Sequence, residues 1–453
     1  MTRGRAIDRL AASPTRGRTP ELNSSYAHIV LGVGGIGSAA AYWIAKRGGK
    51  NVLALEQYKL GHERGASEDH SRIIRHSYHT ADYASLTRAA FDHVRSLEAE
   101  TGMDLLRVTG GLNLAPNDSG GAAEIGGYAR SLTEQGHAYE VLDGTELAAR
   151  WPQWRVDTET IGLYQADSGF LDIRRANSAH ISRARALGVT FLDQTPARSV
   201  VAGDGYVEVH TDDEVYRART LTICAGSWTD TLTASLGLDV PLTLTQEQVT
   251  FFAAPDLRPF APGRFPVWIF HGAVFGGEET TFYGFPVYGE AGVKLGRDMS
   301  GRYVTQETRS FEPNPEQTAE NAEFLARYLP SALGPELVSK TCVYDLTPDR
   351  NFVVDTVPGY PHISLCIGAG HAAKFAALLG HILADLAIDG ETGYAIDSFT
   401  LDRPAITDPG FRTDFRMVRA AQEHGADAWP TGTPADTSAG RAAGAPDTPA
   451  PRP

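Results

Sequence analysis

Short apolar runs alternate along the chain with longer stretches in which apolar residues recur every three or four positions. Residues 29–31 and 52–55 are two such runs, separated by a small-residue stretch at about 38–47. Short apolar runs flanked by glycine predict buried strands, and the small-residue stretch predicts a helix packed closely on them. The same periodicity predicts an amphipathic helix over 81–100, strands at 105–114 and 138–142 with a polar helix between, a strand at 161–164 and a helix at 173–187. Short strands follow at 190–192, 197–202, 207–210 and 216–218, then a buried strand within 220–228 that ends in a small-residue turn. Residues 236–310 are rich in β-branched and aromatic residues with proline and glycine at short intervals, which predicts an antiparallel sheet. Helical segments at 314–333, a strand at 363–367 and a helix at 375–388 complete the pattern.

The first strand runs into Gly32, Gly34 and Gly37, and the second strand ends on Glu56. In such a G-x-G-x-x-G turn the first glycine permits the tight bend, the second lets a pyrophosphate reach backbone, and the third lets helix and strand pack closely. The helix start then offers free N–H groups and a positive dipole end to the phosphates. Glu56 stands where a carboxylate accepts ribose hydroxyls. Strand, triplet, helix, strand and acid in register predict a nucleotide-binding unit. Two plainer readings compete: a membrane span, since residues 29–45 carry no charge, and a βαβ unit without a ligand.

The fold class expected is α/β with a mixed α+β character: a Rossmann-type nucleotide domain joined to a second, antiparallel-sheet domain. The first is discontinuous, made of residues 26–110, 166–235 and 336–405; the second takes 111–165 and 236–335. Residues 1–25 read as a disordered leader, with a presequence as the alternative, and 430–453 as a disordered Pro- and Ala-rich tail.

Composition narrows the chemistry. A net charge of −14 argues against nucleic acid as a partner. Hydrophobic content of 42% suits a globular chain without a membrane. Three cysteines cannot build a disulfide framework and suit a reducing, cytoplasmic setting. No metal-ligand spacing is present.

Two further stretches carry candidate chemistry. Residues 61–78 are a polar loop containing Ser67, followed by an extended segment with Arg72 and Arg75, which a strand would point to opposite faces. Residues 363–375 are a strand that breaks at Gly368-Ala-Gly370-His371-Ala-Ala-Lys374 before a helix, a second glycine turn at a helix start.

Taken in order over residues 26–405, these pieces resemble the flavin-dependent amine oxidases of the monomeric sarcosine oxidase and N-methyltryptophan oxidase type, within the D-amino-acid oxidase fold group. The resemblance implies FAD, with Ala225 and Gly226 in the turn beside it. It implies that Arg72 serves the flavin and Arg75 the substrate carboxylate, within Ser71-Arg-Ile-Ile-Arg-His76. Thr341-Cys-Val-Tyr-Asp-Leu-Thr-Pro-Asp349 resembles the covalent flavin site, implying a thioether at Cys342 and an active-site Tyr344. Lys374 matches a carboxylate-binding lysine, Lys294 the lysine that handles oxygen, and Tyr283 an active-site tyrosine. Asp298 departs from the family pattern, which has histidine there, and Ala372 and Ala373 replace bulkier residues. The pocket is therefore altered in charge and volume.

The expected activity is oxidation of an N-methyl or cyclic amino acid to an imine, with O2 reduced to hydrogen peroxide by a monomeric enzyme. A dehydrogenase or desaturase, and an NAD-dependent Rossmann enzyme, are the alternatives. Arg75 and Lys374 would hold the carboxylate as fork and point charge. A buried Lys294 would favour reduced oxygen. His371 and His76 are candidates for flavin or substrate contact, Asp298 would orient an amine or pair with Arg297, and Cys224 and Cys366 read as core.

Overall fold

The computed structural model describes residues 25–415 apart from 68, 79, 300, 301 and 414, so the expected leader, save Ser25, and the tail lie outside the described residues. Its first sheet is built on parallel strands Val215–Ile223, Ser25–Leu31, Val52–Leu55 and Thr190–Leu192, in that spatial order. Tyr360–Ile367 joins parallel to Val215–Ile223, and Ser199–Gly203 and Tyr206–His210 add an antiparallel edge. Apolar side chains alternate to the two faces. One face packs under helices Gly35–Lys46, Ala81–Thr101, Ile173–Ala186 and Ala376–Ile388; the other holds Ile29, Leu31, Leu53, Val207 and Leu221. Small residues let the first and last of these helices approach closely, Gly380 lying directly on Ala39.

The second sheet has nine strands in the order Tyr303–Val304, Thr243–Phe252, Val293–Asp298, Glu278–Phe285, Val267–Phe275, Gly111–Ala115, Ile161–Gln165 and Glu140–Leu142, with Glu336–Leu346 also paired to Thr243–Phe252. Its aromatic core gathers Trp268, Phe270, Phe282 and Phe324. A small sheet of Arg72–Ile74, Gly169–Leu171 and Leu106–Val108 lies apart from both.

Four details differ from the sequence reading. The strand expected over 105–114 is two strands in different sheets, broken at Thr109-Gly110, where Gly110 takes a left-handed φ of +76°. The second sheet is mixed, because Val267–Phe275 runs parallel to Gly111–Ala115. Residues 336–346, grouped above with the nucleotide half, pair with Thr243–Phe252 across the second sheet. The strand carrying Arg72 stops at Ile74, so Arg75 escapes the alternation and lines the same cavity as Arg72.

Candidate active site

A cavity of about 1950 Å³ lies between the carboxyl ends of the parallel strands and the inner face of the second sheet. Leu31, Leu55, Cys224 and Gly368 open it from the first sheet, and Val249, Tyr283, Lys294 and Cys342 wall it from the second. Crevices at the carboxyl ends of parallel strands are where open α/β sheets bind ligands. The volume exceeds the roughly 300–1,000 Å³ of an ordinary small-molecule pocket, so a dinucleotide and a small substrate fit together.

One end is backbone. Gly34, at the N-cap of the helix, has no side chain to cap it. A Cβ at Gly32 would lie 2.3 Å from the Cys224 carbonyl oxygen, and one at Gly37 would lie 1.9 Å from the Gly32 carbonyl oxygen. Only glycine closes this turn. Ser67 Oγ accepts from the Gly35 N–H at 2.7 Å and so ties the polar loop to the helix start. Glu56 accepts from the amides of Val33 (2.9 Å) and Tyr58 (3.0 Å) and faces His62 at 3.2 Å. Burial alone would raise its carboxyl, but His62 and the two amides hold it below the ordinary value. Ala225 and Gly226 line the same end. A backbone cradle closed to Cβ atoms, with an ionised carboxylate beside it, fits the pyrophosphate and ribose of FAD.

The middle of the cavity is charged. Lys294 is 2% exposed; its Nζ donates to the Ser71 carbonyl and hydroxyl oxygens, each at 3.1 Å, and pairs with Asp69. Burial pushes its amine down to about 8, against the opposing pull of Asp69. Strand register sets Phe251 opposite both Lys294 and Val338, so Lys294 and the Cys342 strand flank Thr243–Phe252 from either side. Burial pushes the Cys342 thiol up to about 11, opposed chiefly by Arg72. Tyr283 and Tyr344 lie half-buried beside it, and loss of solvent raises both phenols. Arg72 donates to the Ser71 and Ala66 carbonyls at 2.9 and 3.0 Å. Asp298 pairs with Arg350 at 3.2 Å, not with Arg297, which pairs with Glu320.

Arg75 and Lys374 meet at one aromatic ring: the Arg75 guanidinium lies 5.1 Å and the Lys374 amine 5.6 Å from the Tyr78 centroid. Both line the cavity. The glycine turn beneath Lys374 is held by Asp345, which accepts from the Gly370 amide at 3.0 Å. His371 accepts no charge there: its Nε2 faces the Arg350 carbonyl at 2.8 Å, and burial lowers the imidazole to about 3.

Every singled-out candidate except Gly37 and His76 lines this cavity; Gly37 lies beneath it, at the helix–strand contact. His76 sits elsewhere, stacked between Phe91 and His137. Cys224, read as core, is half-buried and lines the cavity, as does Cys366. Sequence reasoning missed the far end, where Glu124, Tyr128 and His271 surround Arg75. Asn113 Oδ1 accepts from Arg75 at 2.8 Å, with His271 Nε2 at 3.3 Å; His271 Nδ1 faces Glu124 at 3.2 Å, and the Tyr128 hydroxyl donates to Glu124. The one available signal was Glu124 and Tyr128 four apart on a helix face. Among the described residues no cluster of metal-ligating side chains occurs, and no helix is long and apolar enough to cross a membrane.

Residues 28–386 match the family model of the FAD dependent oxidoreductases. The chain is 32% identical to a monomeric sarcosine oxidase of Streptomyces avermitilis over 386 residues, covering 83% of this chain and 97% of that one. It is 33% identical to an N-methyl-L-tryptophan oxidase of Escherichia coli O81 over 383 residues, 83% of this chain and 99% of the relative. Its fold matches NikD, an unusual amino acid oxidase essential for nikkomycin biosynthesis, in an open form, with a TM-score of 0.75 at 25% identity, covering 87% of this chain and 99% of that one.

Proposed function

This chain belongs to the FAD-dependent oxidoreductase family, and from that premise we propose that it oxidises a secondary amino acid, N-methylated or cyclic, to an imine and passes the electrons to O2. The observation that carries this reading is the pair Arg75 and Lys374 on the Tyr78 ring, in a cavity that also holds Lys294 and Cys342.

FAD bound in this cavity supplies the two-electron acceptor. The chain's own residues do the rest. Gly32, Gly34 and the open helix start hold the pyrophosphate, and Glu56 the ribose. Arg75 and Lys374 grip a carboxylate from two sides, which fixes the C–H bond to be broken and removes the entropy of finding that pose. Tyr283 and Tyr344, whose phenols stay protonated, wall the substrate and exclude water. Asp298 is charge-matched by Arg350, so it shapes the pocket as half of an ion pair. Cys342 is the attachment point for a thioether. Lys294 places a buried positive charge where dioxygen gains negative charge on its way to peroxide. The chain acts as a monomer in the cytoplasm.

Purified protein is expected to be yellow. The colour should stay with acid-precipitated protein and be released in Cys342→Ser. A panel of N-methyl and cyclic amino acids should bleach it and release peroxide in air. Lys294→Met should slow reoxidation by about 10²-fold, the scale of losing one preorganised electrostatic contact, while bleaching persists. A Lys294→Met protein that reoxidises at the parent rate would move the reading to a dehydrogenase.

A further inference from the structure

The Lys294 amine reaches three acceptors, and all three belong to the segment 69–71: the carboxylate of Asp69, and the carbonyl and hydroxyl oxygens of Ser71 at 3.1 Å each. Two of the three N–H donors of this ammonium group are hydrogen-bonded to Ser71 and its charge is paired with Asp69, so this one segment holds the group. The amine therefore acts on the cavity through its charge and its fixed place, 4.2 Å from the Phe285 ring centroid. Asp69 is 7% exposed and also lies 3.5 Å from Lys340, whose amine reaches Glu290 at 2.9 Å. Its carboxylate thus joins ammonium groups from two strands, Val293–Asp298 and Glu336–Leu346, that do not pair with each other. To stand there Asp69 adopts φ +73°. That left-handed region is unfavourable for most residues and tolerated by Asp and Asn. A strained, buried carboxylate aimed at one buried ammonium is a feature the surrounding fold must hold in place.

We propose that Asp69 is the positioning residue of the oxygen site: it fixes the Lys294 amine in the cavity wall and keeps it charged. This rests on the reading of Lys294 as the cation that serves the oxygen step. The charged and titratable groups around that amine are Asp69 and Arg72 from the segment leading into Arg72–Ile74, and Cys342 with Lys340 from Glu336–Leu346. Burial and Arg72 disfavour the ammonium form, and Asp69 opposes them. Removing the Asp69 charge leaves nothing of comparable reach to do so. The amine then titrates lower and is neutral over more of the pH range above its midpoint.

Asp69→Asn tests this without breaking the turn, since Asn accepts the same backbone, and Asp69→Gly is a second variant that takes φ +73° freely. Two readouts apply to the flavin-loaded protein. The first is the titration midpoint of the Lys294 amine, by NMR of isotope-labelled lysine assigned through loss of the signal in Lys294→Met. It should fall by at least about one pH unit in both variants, because each unit reflects a tenfold change in the charged-to-neutral ratio. The second is the pH profile of reoxidation by O2. In the variants the rate at pH near 8 should drop about fivefold relative to the parent and recover as pH falls to about 6, where the amine is charged again. Asp69→Glu should restore the midpoint. An unmoved midpoint, or reoxidation profiles that overlay the parent, would overturn the role of Asp69. Parent-like reoxidation in Lys294→Met would instead overturn the oxygen reading, and the midpoint shift would still decide whether Asp69 sets the charge.

Discussion

The two ends of the cavity are built from different material. The glycine end is backbone: Gly32, Gly34, Gly35 and the helix start come from one continuous stretch, joined by Glu56 and Ser67 from close by in sequence. The far end is side chains drawn from distant places. Arg75 follows a short strand, Glu124 and Tyr128 sit on a helix packed against the second sheet, Asn113 and His271 on strands of that sheet, and Lys374 on the last glycine turn. A backbone cradle recognises phosphate, which every nucleotide has. Side-chain charges balanced against one another recognise one substrate among many. The first kind of site tolerates almost no substitution because its atoms are already in contact. The second tolerates change and converts it into altered specificity.

The sharpest break of that contrast is Gly37→Ala. The added carbon would fall 1.9 Å from the Gly32 carbonyl oxygen and 3.1 Å from Cys224 Cβ. The nearer of these is backbone and has no rotamer to give, so the turn itself must open. The expected result is protein that retains less than about a tenth of the parent's flavin per chain, the loss of a close-packed helix–strand contact on which the cradle depends. The visible flavin absorbance against protein concentration measures it. Full flavin content in Gly37→Ala would mean the turn is looser than its packing shows.

What was legible follows the same division. The βαβ unit, its glycine spacing and Glu56 were readable because each is a local rule: period, turn chemistry and helix-start electrostatics act over a few residues. The second sheet was readable as a β-rich region, but its order was not. Nothing local to Gly111–Ala115 says that it pairs parallel with Val267–Phe275, more than 150 residues later. The strand expected at 105–114 failed for a related reason: Gly110 turns the chain between two sheets, and an apolar run alone does not record which sheet each half joins. Candidate site residues came chiefly from resemblance to a family. The partners they pair with, Asp69 for Lys294 and Arg350 for Asp298, are long-range pairings, while Arg297, adjacent in sequence to Asp298, pairs with Glu320.

The smallest effect is expected from Glu124→Gln, and its sign separates two views of the far end. Glu124 accepts from Tyr128, faces His271 and lies near Arg75. Burial would raise its carboxyl, yet the His271 contact and these neighbours bring it down to about 2, so it is charged at any working pH. That negative charge opposes an incoming carboxylate at Arg75. Gln keeps the shape and an acceptor for Tyr128 but removes the charge. At a separation of several ångströms in a partly wet cavity the relief amounts to less than about 1 kcal/mol, or a KM lowered about threefold for an amino-acid substrate. The alternative is that Glu124 matters as scaffolding, holding Tyr128 against Arg75, whose guanidinium lies 5.0 Å from that ring. Losing the scaffold would free Arg75 and raise KM. Steady-state kinetics with one N-methyl amino acid at fixed pH and two salt concentrations distinguishes them, because an electrostatic gain shrinks as salt rises and a loss of packing does not.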